Sequence, residues 1–553
     1  MSLMSALSVG RLGLQTSQNA LNTVAHNVSN ADTKGYTRQQ VQLGDNVYNT
    51  IKYNFSGVSS QQIGLGVMYT QTRQVRDDFL DQLYRKESGR SAFYEVSYDA
   101  LYQIENIMGE PGENPFQGAV DRLWEAIEEL SKEPDSSVNQ GLLVQRAGQF
   151  IDEANIVYKE LRAYQDNLNQ QVYDNVQKIN KYGKAIYDLN IQINKIEAGG
   201  VEHANDLRDQ RNYYLDELSK LTNMTYSVDV FGNYNVKIDG ESFVTRSQVY
   251  EIGVFTEENG FYTPYWKHLA KETIDRYGRD TLDISHAKVV DTNRPISSSL
   301  NTDIGKLESL MYARGDHRAN YTEVEDEEKY KKIENSLIMN VQAEFDKLIH
   351  DITTGINDIL AETAEREPNP TFGYLHNSDG SPIQLFTKNV TDTHVYNDAT
   401  GKWEKMKEDP NRFETLFTVG SIRVNNDLVK QPTLLGFVKP DGSTDYETAE
   451  KLYQLFEEET HALNPNLKTL ANFSDYYINL TNQIANSGSA YKKLCDDQQG
   501  TLGAASSARE QIVGVSTDEE LTNMIKFQNA YNASSRYINA VDELLEHLIN
   551  ALA

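Results

Sequence analysis

The residues that could do chemistry in this chain of 553 residues fall into few recognisable groups. The densest group of carboxylates spans 323–328 and could hold a cation. Lys329, Lys331 and Lys332 follow directly, which instead favours a solvated, charged helix face. The segment 229–239 begins and ends on aspartate but lacks the glycine that an EF-hand loop needs at its sixth position. Neither segment therefore predicts a metal site.

Catalytic motifs are also missing from the sequence. It contains no Walker phosphate loop, no G-x-S-x-G elbow and no H-E-x-x-H pair, and its GxG at 64–66 lacks a dinucleotide-binding context. Its ten histidines show no ligand spacing, and Cys495, the single cysteine, excludes an intrachain disulfide and a cysteine-based zinc site. We therefore predict that the protein is not an enzyme and has no catalytic residues, no metal and no cofactor.

Charge and hydropathy restrict the partners. The 52 lysines and arginines and 81 aspartates and glutamates give a net charge of −29. Such a surface repels phosphate backbones and anionic membranes, so we expect no nucleic-acid partner. No apolar run reaches the roughly 20 residues of a transmembrane helix, so we expect no membrane insertion. The first residues lack a basic segment followed by an apolar core, so we expect any export to proceed without a cleaved signal peptide.

The elements that must position any functional surface are clearest at the N-terminus, where two rows of residues repeat every seven positions. The first row is Leu7, Leu14, Leu21 and Val28, and the second is Leu3, Gly10, Ser17 and Val24. Together the rows have the 3–4 spacing of a coiled-coil seam. Gly10 and Ser17 are small enough to let a partner helix approach closely. We therefore predict an assembly seam on the apolar members of these rows.

The C-terminus has a matching pattern. One row is Met524, Tyr531, Ile538, Leu545 and Leu552, and the other is Phe527, Ser534, Val541 and Leu548. Ser516 and Glu519 have the spacing of a capping box that starts this helix. Either end alone could be an amphipathic helix that packs on its own domain. Two seams at opposite ends of one chain instead favour a terminal coiled-coil domain formed by 1–45 and 512–553.

Between the two ends, helical patterns enclose material rich in β-strand signals. Long helices are predicted at 75–108 and 137–198, and a shorter one at 203–221. We predict a helical rod domain from 46–223, 296–365 and 446–511, a β-rich insert at 224–295, and a mixed second insert at 366–445. The expected fold is mainly α with β-rich inserts, in an elongated chain of several domains.

Specific runs at both ends carry a resemblance to a known family. The run AHNVSNADTKGYTR at 25–38 resembles the N-terminal signature of the flagellar rod, hook and hook-associated proteins, through Asn27, Asn30, Thr33, Gly35 and Tyr36. The run at 518–531, with its I-K-F-Q-N-A-Y, resembles the terminal helix of the same family.

Two further runs resemble one branch of that family, the hook-associated proteins. These runs are ANDLRDQR at 204–211 and the stretch from Gly305 to Asp316. Asn212 stands where the branch usually has aspartate, and the second insert matches only weakly, near 422–425. The matched stretches cover both ends and the helical middle of the chain.

The resemblance implies a structural component of the bacterial flagellum that forms the junction between hook and filament. It implies self-assembly through the terminal helices, type III export and an extracellular position. The implied partners are copies of the same chain, the hook protein, a second hook-associated junction protein, and an export chaperone that binds the C-terminal helix.

Two alternatives remain. The first is another axial protein, a hook or rod protein, which should share the motifs of the ends but lack the run at 206–211. The second is an exported enzyme on an axial scaffold, with a hydrolase hidden in 366–445. A cleft of buried polar groups in that insert would favour the enzyme.

Overall fold

The structure of the protein is a computed structural model. It describes residues 3–53, 60–109, 115–200, 202–274, 278, 280–366, 381–410, 412–439 and 441–552. Within these ranges, the helices are α1 (Leu3–Ser29), α2 (Asp78–Met108), α3 (Pro115–Lys132), α4 (Ser137–Glu197), α5 (Asn205–Leu221), α6 (Lys306–Arg314), α7 (Glu327–Ile333), α8 (Leu337–Arg366), α9 (Asn426–Lys430), α10 (Tyr446–Glu457), α11 (Phe473–Val513) and α12 (Thr517–Leu552).

The strands are short and form small antiparallel sheets. They are β1 (Gln39–Asp45), β2 (Tyr48–Tyr53), β3 (Ser60–Gly64), β4 (Val67–Gln74), β5 (Met224–Val228), β6 (Tyr234–Ile238), β7 (Glu241–Val244), β8 (Ile252–Thr256), β9 (Tyr262–Trp266), β10 (Lys271–Ile274), β11 (Asp280–Asp283), β12 (Phe386–Lys388), β13 (His394–Asn397), β14 (Lys402–Lys405) and β15 (Ile422–Val424). Strands β5, β6 and β7 form one sheet, and the other strands pair in twos. The predicted fold class, mainly α with β-rich inserts, is confirmed.

Helix α4 is the longest described helix and packs in two apolar cores. It has 61 residues, which corresponds to a rod about 90 Å long at ~1.5 Å per residue. Its first half, up to Leu161, packs in one apolar core with α3, α8, α10 and the start of α11. Its second half, from Leu168, packs in another core with α5, α6 and the first β-rich insert. One continuous helix therefore ties two cores together.

Helices α2 and α11 form a second long pair that runs antiparallel along this rod. The hydroxyl of Tyr477, near the start of α11, donates to the carbonyl of Met108 at the end of α2. At the other end of the pair, Arg509 contacts Asp81 in the first turn of α2. Helix α11 therefore starts in the core around the first half of α4 and ends next to the start of α12.

Each β-rich insert is anchored to a rod helix through a close contact. In the first insert, the ring of Phe243 on β7 fills the place that a side chain at position 183 of α4 would take, so glycine is needed there. In the second insert, Asn357 of α8 donates to the carbonyl of Phe386 and accepts from its amide. Residues 367–380 of the predicted second insert lie outside the described residues.

The terminal helices α1 and α12 lie side by side and run antiparallel. A Cβ built on Gly10 would meet the side chain of Ile538, and one built on Gly13 would meet Ser534. Strand β1 pairs with β4 along its length, and Gly66, at the far end of this ribbon, lies against Val9. The sequence prediction assigned 46–74 to the helical rod. The structure instead places β4 beside α1, because the ribbon turns back along that helix.

The antiparallel register can be tested with a disulfide. A Cβ on Gly13 lies 3.6 Å from the Cβ of Ser534, which is within the usual range for disulfide-bonded cysteines. In a Cys495→Ser background, we expect Gly13→Cys with Ser534→Cys to form an intrachain disulfide on mild oxidation. The measurement is a non-reducing gel with peptide mapping.

The matched control is Gly13→Cys with Asn532→Cys, because Asn532 is exposed on the same helix. Equal oxidation of both pairs would contradict the register.

Candidate functional site

The inner face of α1 consists of small residues. Its buried positions are Ala6, Gly10, Thr16, Ser17, Ala20, Val24 and Asn27. Of the residues predicted for the N-terminal seam, Val24 is buried, whereas Leu3, Leu7, Leu14, Leu21 and Val28 are half-buried. The small row brings the two helix backbones close together, so the leucine row lies at the margin of the contact rather than at its centre.

The predicted C-terminal seam lies on the covered side of α12. Val541 is buried, and Met524, Phe527, Tyr531, Ile538 and Leu545 are half-buried. Leu548 is 48% exposed, and the side chain of Leu552 lies outside the described part of the chain. Four other large apolar side chains of α12, those of Leu521, Ile525, Leu544 and Ile549, are between 48% and 63% exposed.

The end of α1 is held by a set of hydrogen bonds around Asn27, whose side chain is almost completely buried. Its Nδ2 donates to the carbonyl of Gln39 (2.8 Å) and to Oε2 of Glu520 (3.1 Å). Its Oδ1 accepts from the hydroxyl of Tyr36 (2.8 Å) and from the amide of Gln39 (3.0 Å). One amide side chain therefore joins α1, β1 and α12.

The other residues of the N-terminal motif build the turn that makes these bonds possible. Asn30 donates from Nδ2 to the carbonyl of His26, and the amide of Thr33 donates to the carbonyl of Asn30. Gly35 has a φ of 82°, which glycine adopts without strain. Tyr36 then folds back onto Asn27, and burial together with the charge of Asp209 raises the pKa of its hydroxyl well above the usual value.

Charged groups extend this set into α12 and α11. Nε of Arg38 donates to Glu520 (3.1 Å), which is 2% exposed, and a second guanidinium nitrogen contacts Glu519 (3.1 Å). The amide of Arg38 donates to the carbonyl of Val513, the last residue of α11. Arg38 thus clamps the junction between the last two helices.

Asp209, in the run at 204–211, connects the motif to α5. Its Oδ2 accepts from the amide of Thr37 (3.2 Å) and its Oδ1 accepts from Gln74 of β4 (2.7 Å). A guanidinium nitrogen of Arg76 lies 3.9 Å away. Burial raises the pKa of Asp209 to about 6. Its carboxylate holds the two strands of the ribbon against the helical body.

A chain of ion pairs continues from this point into the rod. Arg76 makes two bonds of 2.9 Å to Asp81, and Arg509 contacts the same carboxylate at 2.7 Å. Arg509 also contacts Asp216, which accepts from Arg85. Burial alone would raise the pKa of Asp81, but the bond from Arg76 and the nearby arginines outweigh it and lower that pKa. The charges are therefore buried as pairs, as their desolvation cost requires.

The two runs that resemble the hook-associated proteins, 204–211 and 305–316, each contain one buried arginine. Arg211 donates to Asn190 of α4 (2.9 Å) and lies 3.9 Å from the ring centre of Tyr234. Arg314, 1% exposed, donates to the carbonyl of Tyr262 in the first insert (2.9 Å). Burial lowers the pKa of both guanidinium groups to about 10. Both runs therefore fasten the first insert to the rod rather than act on a substrate.

The described part of the chain offers no metal-binding group of three His, Cys, Asp or Glu side chains. No helix in it is long and apolar enough to cross a membrane. The polar residues at the chain ends are used in contacts between elements of the chain.

Comparisons with known proteins agree with this geometry. Residues 101–367 match a family model described as the flagellar hook-associated protein FlgK helical domain. Residues 7–37 match the flagella basal body rod protein model, and residues 510–551 match the flagellar basal body rod FlgEFG protein C-terminal model.

The chain is also similar to flagellar hook-associated protein 1 of Bacillus subtilis, with 26% identity over 99% of this chain and 98% of the relative. The relative of the same name in Salmonella typhimurium is 22% identical over 97% of this chain and 98% of its own. Over almost its whole length, the chain is therefore similar to flagellar hook-associated protein 1.

A solved structure supports the fold. The flagellar hook junction protein FlgK of Burkholderia pseudomallei superposes with a TM-score of 0.53 at 12% identity, over 79% of this chain and 100% of that chain. The similar proteins and the fold together support a structural role for this chain in the bacterial flagellum. The match at 101–367 separates it from hook and rod proteins, whose models match only its ends.

The importance of the hydrogen bond from Asn27 to Glu520 can be tested by replacing the side-chain nitrogen of Asn27 with oxygen. Asn27→Asp places a second carboxylate against that of Glu520, and the donor between them is lost. We expect the terminal pair to lose about 2–4 kcal/mol of stability at pH 7, the size of an unpaired buried charge. The loss should shrink as pH falls, because protonation of the introduced carboxyl restores a donor. The measurement is amide exchange of α12 against pH in the assembled protein, in which we expect this helix to be protected.

Asn22→Asp is the control, because Asn22 is exposed on the same helix. If both variants exchanged alike, the proposed role of Asn27 would be wrong.

Proposed function

We propose that this chain forms the junction between the hook and the filament of the flagellum by self-assembly through α1 and α12. The observation that carries the proposal is the number of large apolar side chains that α12 leaves exposed. In the described chain, α12 packs mainly against α1, and Leu521, Ile525 and Leu544 remain exposed around it. Burying a large aliphatic side chain contributes about 1.5–3 kcal/mol, so contacts with neighbouring helices would stabilise α12.

The residues predicted for the two seams have separate roles in this proposal. Those on the covered side of α12, such as Val541 and Leu545, hold the intrachain pair. The half-buried leucines of α1 and the exposed apolar side chains of α12 together form the surface that contacts other copies. The hydrogen bonds around Asn27 set the direction in which the pair leaves the rod.

The remaining partners follow from the proposed position. The hook protein lies on one side and a second hook-associated junction protein on the other. The protein is extracellular and leaves the cell through the type III export apparatus without a cleaved signal peptide, after an export chaperone has held its C-terminal helix. The proposal includes no enzymatic activity, because the buried acids and arginines described above pair with one another and join elements of the chain.

Leu545→Asp tests whether the terminal pair is needed for assembly. Leu545 is half-buried on the covered side of α12, and a charge there costs several kcal/mol. We expect the central domains to unfold at the same temperature as the parent, while incorporation into the flagellum and motility fall severely. Circular dichroism of the purified chain and electron microscopy of cells provide the two measurements.

Asn550→Asp is the control, since it adds the same charge at an exposed position of α12. Secretion is assayed separately, because loss of chaperone binding would lower the amount outside the cell without any assembly defect. Normal incorporation of secreted Leu545→Asp protein would contradict the proposal.

The same surface predicts a difference between the free and the assembled chain. A long helix with one partner is marginal in water, because ordering its backbone costs roughly 1–2 kcal/mol per residue. We expect the amides at 3–30 and 520–550 to exchange rapidly in the dilute monomer and slowly after assembly. Hydrogen exchange with mass spectrometry measures both states, and α4 is the internal reference. Strong protection of both ends in dilute monomer would refute this.

A further inference from the structure

A pocket of about 280 Å³ lies beside the ion pairs of the rod, where α2, the end of α5 and strand β5 meet. Arg85 and Lys86 of α2 line it on one side, Thr222 and Tyr226 on another, and Asn301 and Ile304 on a third. The pocket is separate from the motif around Asn27. It lies where the first β-rich insert leaves the rod, because β5 is the first strand of that insert.

Three of the lining side chains carry a buried polar atom that has no partner within the described residues. These atoms are Nη1 of Arg85, Oγ1 of Thr222 and the hydroxyl oxygen of Tyr226. Arg85 is 2% exposed and Thr222 is 3% exposed. Buried polar groups without a partner are uncommon in folded proteins, and each one costs stability. Three such groups around one cavity indicate a missing hydrogen-bonding species.

The charges around the pocket indicate that this species is an anion. Arg85 contacts the carboxylate of Asp216, which also accepts from Arg509, and Arg509 pairs with Asp81 as well. Arg85 and Lys86 both line the pocket, and none of its described lining residues is acidic. The lining is thus basic, whereas the chain as a whole is acidic, with 81 acidic and 52 basic residues. A water molecule could satisfy the hydroxyl groups, but an anion would in addition make charge-assisted hydrogen bonds to Arg85 and Lys86.

We propose that this pocket binds a small oxyanion, a carboxylate or a phosphate. The guanidinium group of Arg85 and the ammonium group of Lys86 supply the charge, and Thr222 and Tyr226 supply hydroxyl donors. Charge-assisted hydrogen bonds to such anions are stronger than neutral ones. A bound anion would join α2, the end of α5 and β5, and would therefore stabilise the attachment of the first insert to the rod.

The test is a calorimetric titration of the full chain with sodium phosphate and, separately, with sodium acetate, at constant ionic strength set by chloride. We expect one site per chain for at least one of the two anions. Binding of phosphate alone would identify a tetrahedral anion, and binding of acetate alone would identify a carboxylate. Binding of neither anion would overturn the proposal, because water would then be the species that fills the pocket.

Two conservative variants locate the site. Thr222→Val and Tyr226→Phe each remove one unpartnered hydroxyl and keep the shape of the side chain. Combined, they should weaken binding at least about tenfold, or about 1.4 kcal/mol. Without anion, the double variant should be as stable as the parent or more stable, since the hydroxyls it loses have no partner. Arg85 is left unchanged because its ion pair with Asp216 holds α2 to α5.

Tyr182→Phe is the matched control, because Tyr182 lies on α4 and does not line the pocket. Its affinity for the anion should equal that of the parent. If the double variant bound the anion as tightly as the parent, the anion would occupy another place on the chain and the proposal would be wrong.

Discussion

The close antiparallel contact of α1 with α12 is the constraint on which the rest of the structure depends. It brings together segments that are more than 500 residues apart in the chain, such as Gly10 and Ile538. Glycine, serine and alanine on the inner side of α1 allow the backbones to approach, and the larger side chains of α12 fill the space. The chain must therefore return from its outer domains to its starting point, and α2 and α11 form the antiparallel pair that brings it back.

A second constraint is that the charged groups buried between the terminal helices, the β1–β4 ribbon and α5 must be paired. Asn27, Arg38 and Glu520 join the terminal helices, and Asp209 ties the β1–β4 ribbon to α5. The chain of ion pairs from Arg76 to Asp216 extends this polar connection into the rod. Removing one member would leave an unpaired buried charge, which costs more than the pair contributes. This polar junction therefore fixes the direction of the terminal pair relative to the rod.

Helix α4 connects the two apolar cores of the molecule and so fixes their relative position. Because one uninterrupted helix belongs to two cores, the two β-rich inserts are held at positions set by the length of α4 rather than by flexible linkers. Arg211 and Arg314 fasten the first insert to it, and Asn357 of α8 fastens the second. Such a body suits a protein whose outer parts must keep a constant position relative to its assembling ends.

The sequence alone determined the class of structure and the family. The 3.6-residue periodicity of α4, the alternation in β5 and β6, and the heptads of both ends are local patterns, so their elements could be predicted. The motif at 25–38 and the runs at 204–211 and 305–316 pointed to the family without any structure.

Tertiary structure decided which sides of those elements are used, because that depends on the partner rather than on the period. The leucine row of α1 lies at the margin of the contact, and the small residues of the second row, Gly10 and Ser17, lie at its centre, where they permit the backbones to approach. The contact of β4 with α1 is likewise a tertiary feature, because a short alternating segment carries no information about the helix it will pack on. The hydrogen-bond partners of the Asp209 and Glu520 carboxylates could not be predicted from the sequence, because they lie between 135 and 493 residues away along the chain.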